Sequence, residues 1–200
     1  MMKTYSSPTT YFDGKGTDYT QETLNLVRER IDALGIRKCL VATTTGQTAA
    51  LAASRLRNCE LVAVTHSTGF REPDTQELLF EHKVVIESAG GKILTAQHAM
   101  GGINRAIRRK MNTFQPDEII ANTLRIFGQG MKVVFEMCLM AADAGLVRTD
   151  EYVMCIAGSG RGADTAVIMN PANAQDFFDL QVIEIICMPS PNHPDFKEEA

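Results

Sequence analysis

The sequence lacks both an excess of positive charge and any long apolar run. Its 20 Lys and Arg residues are outnumbered by 24 Asp and Glu residues, which gives a net charge of -4 at pH 7. Because nucleic-acid backbones are bound mainly through Lys and Arg, we expect no nucleic-acid partner. No apolar stretch approaches the roughly 20 residues that cross a bilayer, and the N-terminal MMKTYSSPTTYF contains no apolar signal segment. We therefore expect a cytoplasmic protein with no membrane partner.

Positive charge is concentrated at a single place in the chain. The run RAIRRK at residues 105–110 carries three arginines and a lysine. We interpret it as the solvent-exposed face of a helix, with binding of a polyanion as the alternative.

The cysteines do not form any recognisable motif. They are odd in number, form no C-x-x-C pair and have no histidine at metal-ligand spacing. Most lie inside apolar stretches, which predicts buried thiols rather than a disulfide framework or a zinc site. The residues concerned are Cys39, Cys59, Cys138, Cys155 and Cys187. We accordingly expect no metal site.

Strands and helices alternate along most of the chain, which predicts βαβ crossovers and a mostly parallel sheet. Strands are predicted at residues 38–44, 59–66, 92–96, 152–158, 165–169 and 182–188. Helices are predicted at residues 21–34, 46–57, 73–89, 172–178 and over most of 100–147, with Thr20 capping the first and Gly35 ending it. The strand at 165–169 follows its predecessor so closely that we expect a hairpin, and hence one antiparallel strand. No linker divides the chain, so residues 1–200 are predicted to form a single domain.

In such sheets ligands bind beyond the carboxyl ends of the strands. After the first buried strand, ATTTGQTA combines hydroxyl groups with the free N–H groups and positive dipole of a helix start, which favours a phosphate. The alternative is that Thr45 only caps the helix and the other residues pack. The candidate binding residues are Thr43, Thr44, Thr45, Gly46, Gln47 and Thr48.

A glycine-rich loop, GSGRGADT, follows the strand at residues 152–158. Its glycines allow the backbone to approach a ligand, and its arginine offers a bidentate grip on phosphate or carboxylate. An ordinary hairpin turn with the arginine in solvent is the alternative. The candidate binding residues are Gly158, Ser159, Gly160, Arg161, Gly162 and Asp164.

A third candidate anion site precedes a helix in FGQGMKVV. Gly128, Gln129 and Gly130 supply backbone N–H groups, and Lys132 supplies an ammonium group. A plain corner between two helices would explain these glycines equally well.

Two histidines end the second and third predicted strands. His66 and His98 are candidates for general bases or ligand donors in a common cleft, although a structural role is the commoner outcome for such histidines. The loop STGFREPD at residues 67–74 lies at the same edge, as a lid or a simple connection. No catalytic triad or paired catalytic carboxylates can be identified, so the catalytic residues are left unknown.

Two segments together resemble a known family. KCLVATTTGQTAALAASRLRNCELVAVTH and DEYVMCIAGSGRGADTAVIM are similar to the C-terminal α/β domain of pyruvate kinase, and most similar to its stand-alone relatives. The resemblance implies a three-layer α/β/α sandwich around a mostly parallel sheet with one antiparallel strand. It also implies a regulatory rather than catalytic domain, whose phosphate-holding loops correspond to residues 43–48 and 158–164.

The resemblance also sets limits. The sequence has no counterpart of the catalytic barrel of pyruvate kinase, so no kinase activity is expected. Insertions at residues 67–74 and 100–122 could cover a ligand larger than a sugar phosphate, and stand-alone relatives imply flavin mononucleotide (FMN) as cofactor, with its ring near His66 and Met100. The favoured function is therefore a module that binds a small phosphorylated ligand. A small flavin-dependent oxidoreductase and a sugar-phosphate-sensing regulatory domain are the alternatives, and a homo-oligomer is left open.

Overall fold

A computed structural model describes residues 3–196, which build one seven-stranded sheet. The strand order is β1-β7-β6-β5-β2-β3-β4. The strands are β1 (Thr10–Phe12), β2 (Lys38–Ala42), β3 (Glu60–Val64), β4 (Lys92–Leu94), β5 (Val153–Ala157), β6 (Thr165–Asn170) and β7 (Gln181–Pro189). Only β6 runs against its neighbours, since it pairs antiparallel with both β5 and β7 while the other pairs are parallel. The predicted hairpin and single antiparallel strand are confirmed.

Helices cover both faces of this sheet. They are α1 (Thr20–Leu34), α2 (Gln47–Arg55), α3 (Phe80–Ser88), α4 (Ile103–Met111), α5 (Pro116–Leu124) and α6 (Gln129–Asp143). The described helices are all too short or too polar to cross a membrane. The arrangement is the three-layer α/β/α sandwich expected from the sequence.

The core has two halves, one on each face of the sheet. On one face, α1, α2 and α3 pack through residues such as Leu24, Ala49 and Ile86. On the other face, α6 packs through Met131, Val134 and Met137 against the opposite side of the same strands. The central strand β5 is therefore buried on both sides, as its uninterrupted apolar sequence predicts.

The helix predicted at residues 73–89 begins only at Phe80, so its first part is wrong. Asp74 adopts a left-handed conformation with φ 61°, which interrupts a helix. The N–H group of Leu79 then bonds to the carbonyl of Thr45, 3.0 Å away, instead of continuing a helical ladder. Local periodicity could not show this long-range bond.

The N-terminal region also departs from the predictions. Thr20 does not cap α1, because a 3-10 turn at Thr17–Tyr19 leads directly into the helix and places Thr20 inside it. Its hydroxyl instead accepts the N–H group of Ala163 at 2.9 Å. The first 20 residues also contribute the edge strand β1, where no strand is predicted from the sequence. Gly35 ends α1 as predicted, with φ 65°.

One thiol differs from the expected burial. Cys39, Cys138, Cys155 and Cys187 are buried, but Cys59 is only half-buried. Burial raises the pKa of Cys187 to about 12, so this thiol stays protonated at neutral pH.

Candidate functional site

The strand order reverses direction between β2 and β5. From β2 the chain continues outward to β3 and β4, and it then returns on the other side of β2 to form β5. Such a switch point opens a crevice beyond the carboxyl ends of the two strands. Val41 pairs with Ile156, so the loops that follow the two strands leave the sheet side by side. The predicted loops at residues 43–48 and 158–164 therefore flank this crevice.

The start of α2 carries free hydrogen-bond donors. Gly46, not Thr45, is the N-cap residue, and its own N–H group donates to the Thr43 hydroxyl at 3.1 Å. The first intrahelical bond runs from Ala50 to Gly46, which leaves the N–H groups of Gln47, Thr48 and Ala49 as the unpaired first turn. Within residues 3–196, no side chain accepts a hydrogen bond from these three groups. Thr45 and Gln47 are exposed and Thr48 is half-buried, so solvent reaches the helix end at these residues, whereas Ala49 is fully buried.

Gly46 is required by packing as well as by its backbone conformation. Its φ of 96° is unfavourable for other residues, and an added Cβ atom would lie 2.6 Å from both His82 Cβ and Leu78 Cδ1. The neighbouring Thr45 carbonyl accepts the Leu79 N–H group and lies 2.9 Å from His82 Nδ1. The segment before and at the start of α3 thus fixes the conformation of this loop.

The glycine-rich loop after β5 is held by a buried carboxylate. Asp164 is fully buried and accepts the N–H groups of Gly16 at 2.7 Å and Ser159 at 3.0 Å, and the Thr165 hydroxyl at 2.8 Å. Asp164 therefore organises its own loop, and the Ser159 N–H group is already used.

Packing explains two of the three glycines of this loop. A Cβ atom on Gly162 would collide with Thr17 and Thr20, and one on Gly158 would collide with the Gly162 carbonyl. Gly160 meets no such obstacle and is exposed. Arg161 is also exposed and makes no hydrogen bond or ion pair within residues 3–196. The part of this loop that is open to a ligand is thus Gly160 and Arg161.

The third predicted loop starts α6 on the opposite face of the sheet. Gly128 is the N-cap residue with φ 109°, and the exposed Gln129 opens the helix. Gly130 packs directly on β6, where a Cβ atom would collide with the side chain of Thr165. Lys132 points into the interior and is only 5% exposed.

Lys132 belongs to a buried charged cluster. Its ammonium group pairs with Glu136, one helical turn later and also 5% exposed. Glu136 Oε1 accepts the Met100 N–H group at 3.0 Å, and its Oε2 lies 3.6 Å from His98 Nδ1. Burial lowers the pKa of Lys132, and the nearby Glu136 carboxylate partly opposes this shift.

His98 is the inner member of a pair of histidines. Burial lowers its pKa, with opposition from Glu136 and reinforcement from His66, Lys132 and Arg105. Its Nε2 atom is buried and has no hydrogen-bond partner within residues 3–196. The His66 and His98 rings lie 5.5 Å apart, so the two predicted histidines do lie together.

Phe70 covers this histidine pair. The centroid of its ring lies 4.1 Å from that of His66 and 4.9 Å from that of His98, on which it stacks. The Arg105 guanidinium lies over the same Phe70 ring, 4.8 Å from its centroid. The loop at residues 67–74 therefore folds over the histidines. His66 Nδ1 is in turn 2.6 Å from Glu77 Oε2.

Sequence reasoning missed Phe70, Glu136 and Arg105 as members of this cluster. The spacing of Lys132 and Glu136, four residues apart on one helix, was an available signal for a pair. The Arg105–Phe70 contact had no local signal, because it joins two separate insertions. Within the described chain, no group of three His, Cys, Asp or Glu side chains could hold a metal ion.

Comparison with known proteins gives one family match. The family model described as "Pyruvate kinase, alpha/beta domain" matches residues 21–169. Among solved structures, a crystal structure of a mutant O-ureido-L-serine synthase with bound O-ureido-L-serine is 21% identical, with a TM-score of 0.27. That alignment covers 70% of this chain and 50% of the synthase chain, so this chain spans about half the length of that protein. At this TM-score the likeness says nothing about the site.

Proposed function

Because the chain belongs to the pyruvate kinase α/β-domain family, we propose that it is a non-catalytic module that binds a small phosphorylated ligand at the carboxyl edge of its sheet. The observation that carries this proposal is the start of α2 at the switch point, where the N–H groups of Gln47 and Thr48 have no partner within residues 3–196 and these two residues reach solvent. A helix start of this kind favours a phosphate through both its N–H groups and its dipole. The exposed Thr45 hydroxyl adds a further donor.

FMN is the ligand that we propose for this site. Its phosphate would lie at the start of α2, and its ring would lie toward Phe70 and the two histidines, where aromatic faces already stack on one another. The start of α2 follows β2, His66 and Phe70 follow β3, and His98 follows β4. Because these three strands are neighbours in the sheet, the phosphate and ring positions are separated by one or two strand spacings of about 5 Å each. A mononucleotide can span this distance.

The test is a titration with FMN and with riboflavin, which differ in the phosphate. Two backbone hydrogen bonds to a charged group should make FMN bind at least about tenfold more tightly. Gln47→Glu adds a negative charge to the first turn of α2 without changing the shape of the side chain. We expect it to remove most of the preference for FMN while leaving riboflavin binding unchanged. Because an acidic residue suits a helix start, the variant should be as stable as the wild type or slightly more stable.

The matched control is Gln129→Glu, the same substitution at the first position of α6. It should leave the FMN preference intact if the phosphate lies at α2. Loss of the preference in Gln129→Glu alone would move the phosphate to α6. Equal affinity of the wild type for FMN and riboflavin would contradict a phosphate site altogether.

A flavin-dependent oxidoreductase is the second candidate, and the buried Lys132, Glu136 and His98 cluster favours it. Clusters with perturbed pKa values are typical of active sites. An anaerobic mixture of the FMN-loaded protein with NADH or NADPH tests this function, because hydride transfer bleaches the flavin absorbance. If neither flavin binds but a sugar bisphosphate does, the protein is a sugar-phosphate-sensing domain.

A further inference from the structure

A strongly basic cleft lies between α4, α5 and the start of α6, on the face of the sheet opposite α2. Its volume is about 280 Å³. Five cationic side chains and one carboxylate contribute to its wall, namely Arg105, Arg108, Arg109, Arg125, Lys132 and Glu118. In a chain whose net charge is -4, this concentration of positive charge is unusual.

Most of these cations have no acidic partner in the cleft. Glu118 pairs with Arg108, whereas Arg125 donates only to the neutral side chains of Gln129 and Asn122. Arg109 forms no ion pair or hydrogen bond within residues 3–196. Like charges held this close repel one another, and an anion in the cleft would relieve that repulsion.

The helix α4 differs from an ordinary surface helix because none of its residues is buried. Amphipathic helices normally bury their apolar stripe against the core. Here Ile103 and Met111 are 70% and 69% exposed, while Arg105, Arg108 and Arg109 line the cleft. The basic run at residues 105–110 is solvent-exposed over most of its length, as interpreted from the sequence, and three of its arginines also line the cleft.

The walls of the cleft are fixed in place. Asn104 of α4 donates to Asp117 of α5 at 2.8 Å, and the Arg108–Glu118 pair joins the same two helices. Arg105 rests on the Phe70 ring. Lys132 also lines the cleft, but its charge is already paired with the buried Glu136 carboxylate. Arg105, Arg108 and Arg125 are thus held in place before binding, which reduces the side-chain entropy that they lose when an anion binds.

We propose that this cleft is a second binding site, distinct from the start of α2 but adjacent to the proposed flavin-ring position through Arg105 and Phe70, for a compact anion with two or more phosphate or carboxylate groups. Guanidinium groups bind such oxyanions through paired N–H donors, so several arginines around one small cavity suit a polyvalent ligand. The cavity is large enough for a few such groups but too small for a folded polymer.

The test is calorimetric titration with pyrophosphate and with citrate, two compact anions that represent the two chemistries. The protein used is the Gln47→Glu variant, so that the α2 start does not contribute. We expect at least one of the two to bind, and we expect Arg109→Gln and Arg125→Gln each to weaken that binding about tenfold. Tighter binding of pyrophosphate would identify a phosphorylated ligand, and tighter binding of citrate would identify a polycarboxylate.

Lys110→Gln is the matched control, because it removes one positive charge from the same helix at a residue that does not line this cleft. It should change the affinity less than about threefold. An equal loss of affinity in Lys110→Gln and Arg109→Gln would mean that the attraction is non-specific, and this would overturn the proposal. If neither anion bound at millimolar concentration, the proposal would also be overturned. In the wild-type background, Arg109→Gln should leave the preference for FMN over riboflavin unchanged, so failure of either proposal can be recognised separately.

Discussion

The buried Lys132–Glu136 pair should show strong energetic coupling. Both side chains are 5% exposed, and they lie one turn apart on α6. Lys132→Met would leave the Glu136 carboxylate buried with only the Met100 N–H group and His98 nearby. Removing one partner of a buried pair typically costs about 3–5 kcal/mol, and we expect about 3 kcal/mol here. The proximity of His98, which can share a proton with the carboxylate, places the cost at the lower end.

The complementary change should cost less. Glu136→Gln keeps an acceptor for the Met100 N–H group but leaves the Lys132 ammonium without its carboxylate. Lys132 can then lose its proton, since burial already lowers its pKa, and this limits the cost to about 2 kcal/mol. The double variant removes both charges together, so it should cost about 2 kcal/mol rather than the sum of about 5.

Urea unfolding followed by far-UV circular dichroism measures these values, because the chain has no tryptophan for fluorescence. The same cycle at Lys83 and Glu87 on α3 is the matched control. That pair has the same spacing but is about half exposed, with 3.9 Å between Nζ and Oε1, so its coupling should stay below about 0.5 kcal/mol. Additive effects at Lys132 and Glu136 would refute the argument that burial makes the two charges depend on each other.

Two further predictions concern stability. Gly46→Ala should destabilise the fold by more than about 2 kcal/mol, because φ is 96° and the new Cβ atom meets His82. Gly35→Ala is the control, since φ is 65° and the space around it is open, and it should cost about 1 kcal/mol. Similar costs for the two variants in urea unfolding would contradict this steric argument. Burial lowers the pKa of His98 in the folded protein below the value of 6.5 that it has in the unfolded chain. Between these two pKa values the unfolded chain binds more protons than the folded protein, so the free energy of unfolding should fall as the pH is lowered from 7.5 through this range. His98→Gln should reduce this slope in unfolding measured across that range, and an unchanged slope would assign the pH dependence to other groups.

Elements dominated by local pattern could be predicted from the sequence. The buried strands β2, β3 and β5 follow from uninterrupted apolar runs, and the antiparallel β6 follows from its short connection to β5. The helix α1 follows from its periodic apolar stripe, although the last member of that stripe, Leu34, is 48% exposed. The sheet edge where these strands end, and hence the position of the candidate loops, follows from the same pattern.

Features that depend on distant contacts could not be predicted. The glycines at residues 158 and 162 look like ligand-binding glycines, but they serve packing against the loop itself and the N-terminal segment. Asp164 looked like a ligand contact, but its carboxylate accepts three internal hydrogen bonds. Sequence spacing cannot distinguish these roles, since the N–H groups that Asp164 accepts come from residues up to 148 positions away.

The two proposed sites use different physical means to attract an anion. At the start of α2 the donors are backbone N–H and hydroxyl groups without formal charge, and they act only within hydrogen-bond distance. In the basic cleft the attraction comes from several formal charges, three of them without an acidic partner within residues 3–196. Salt screens formal charges much more than it weakens short hydrogen bonds. Raising the salt concentration should therefore weaken binding in the cleft strongly while leaving the preference of the α2 site for FMN over riboflavin largely unchanged.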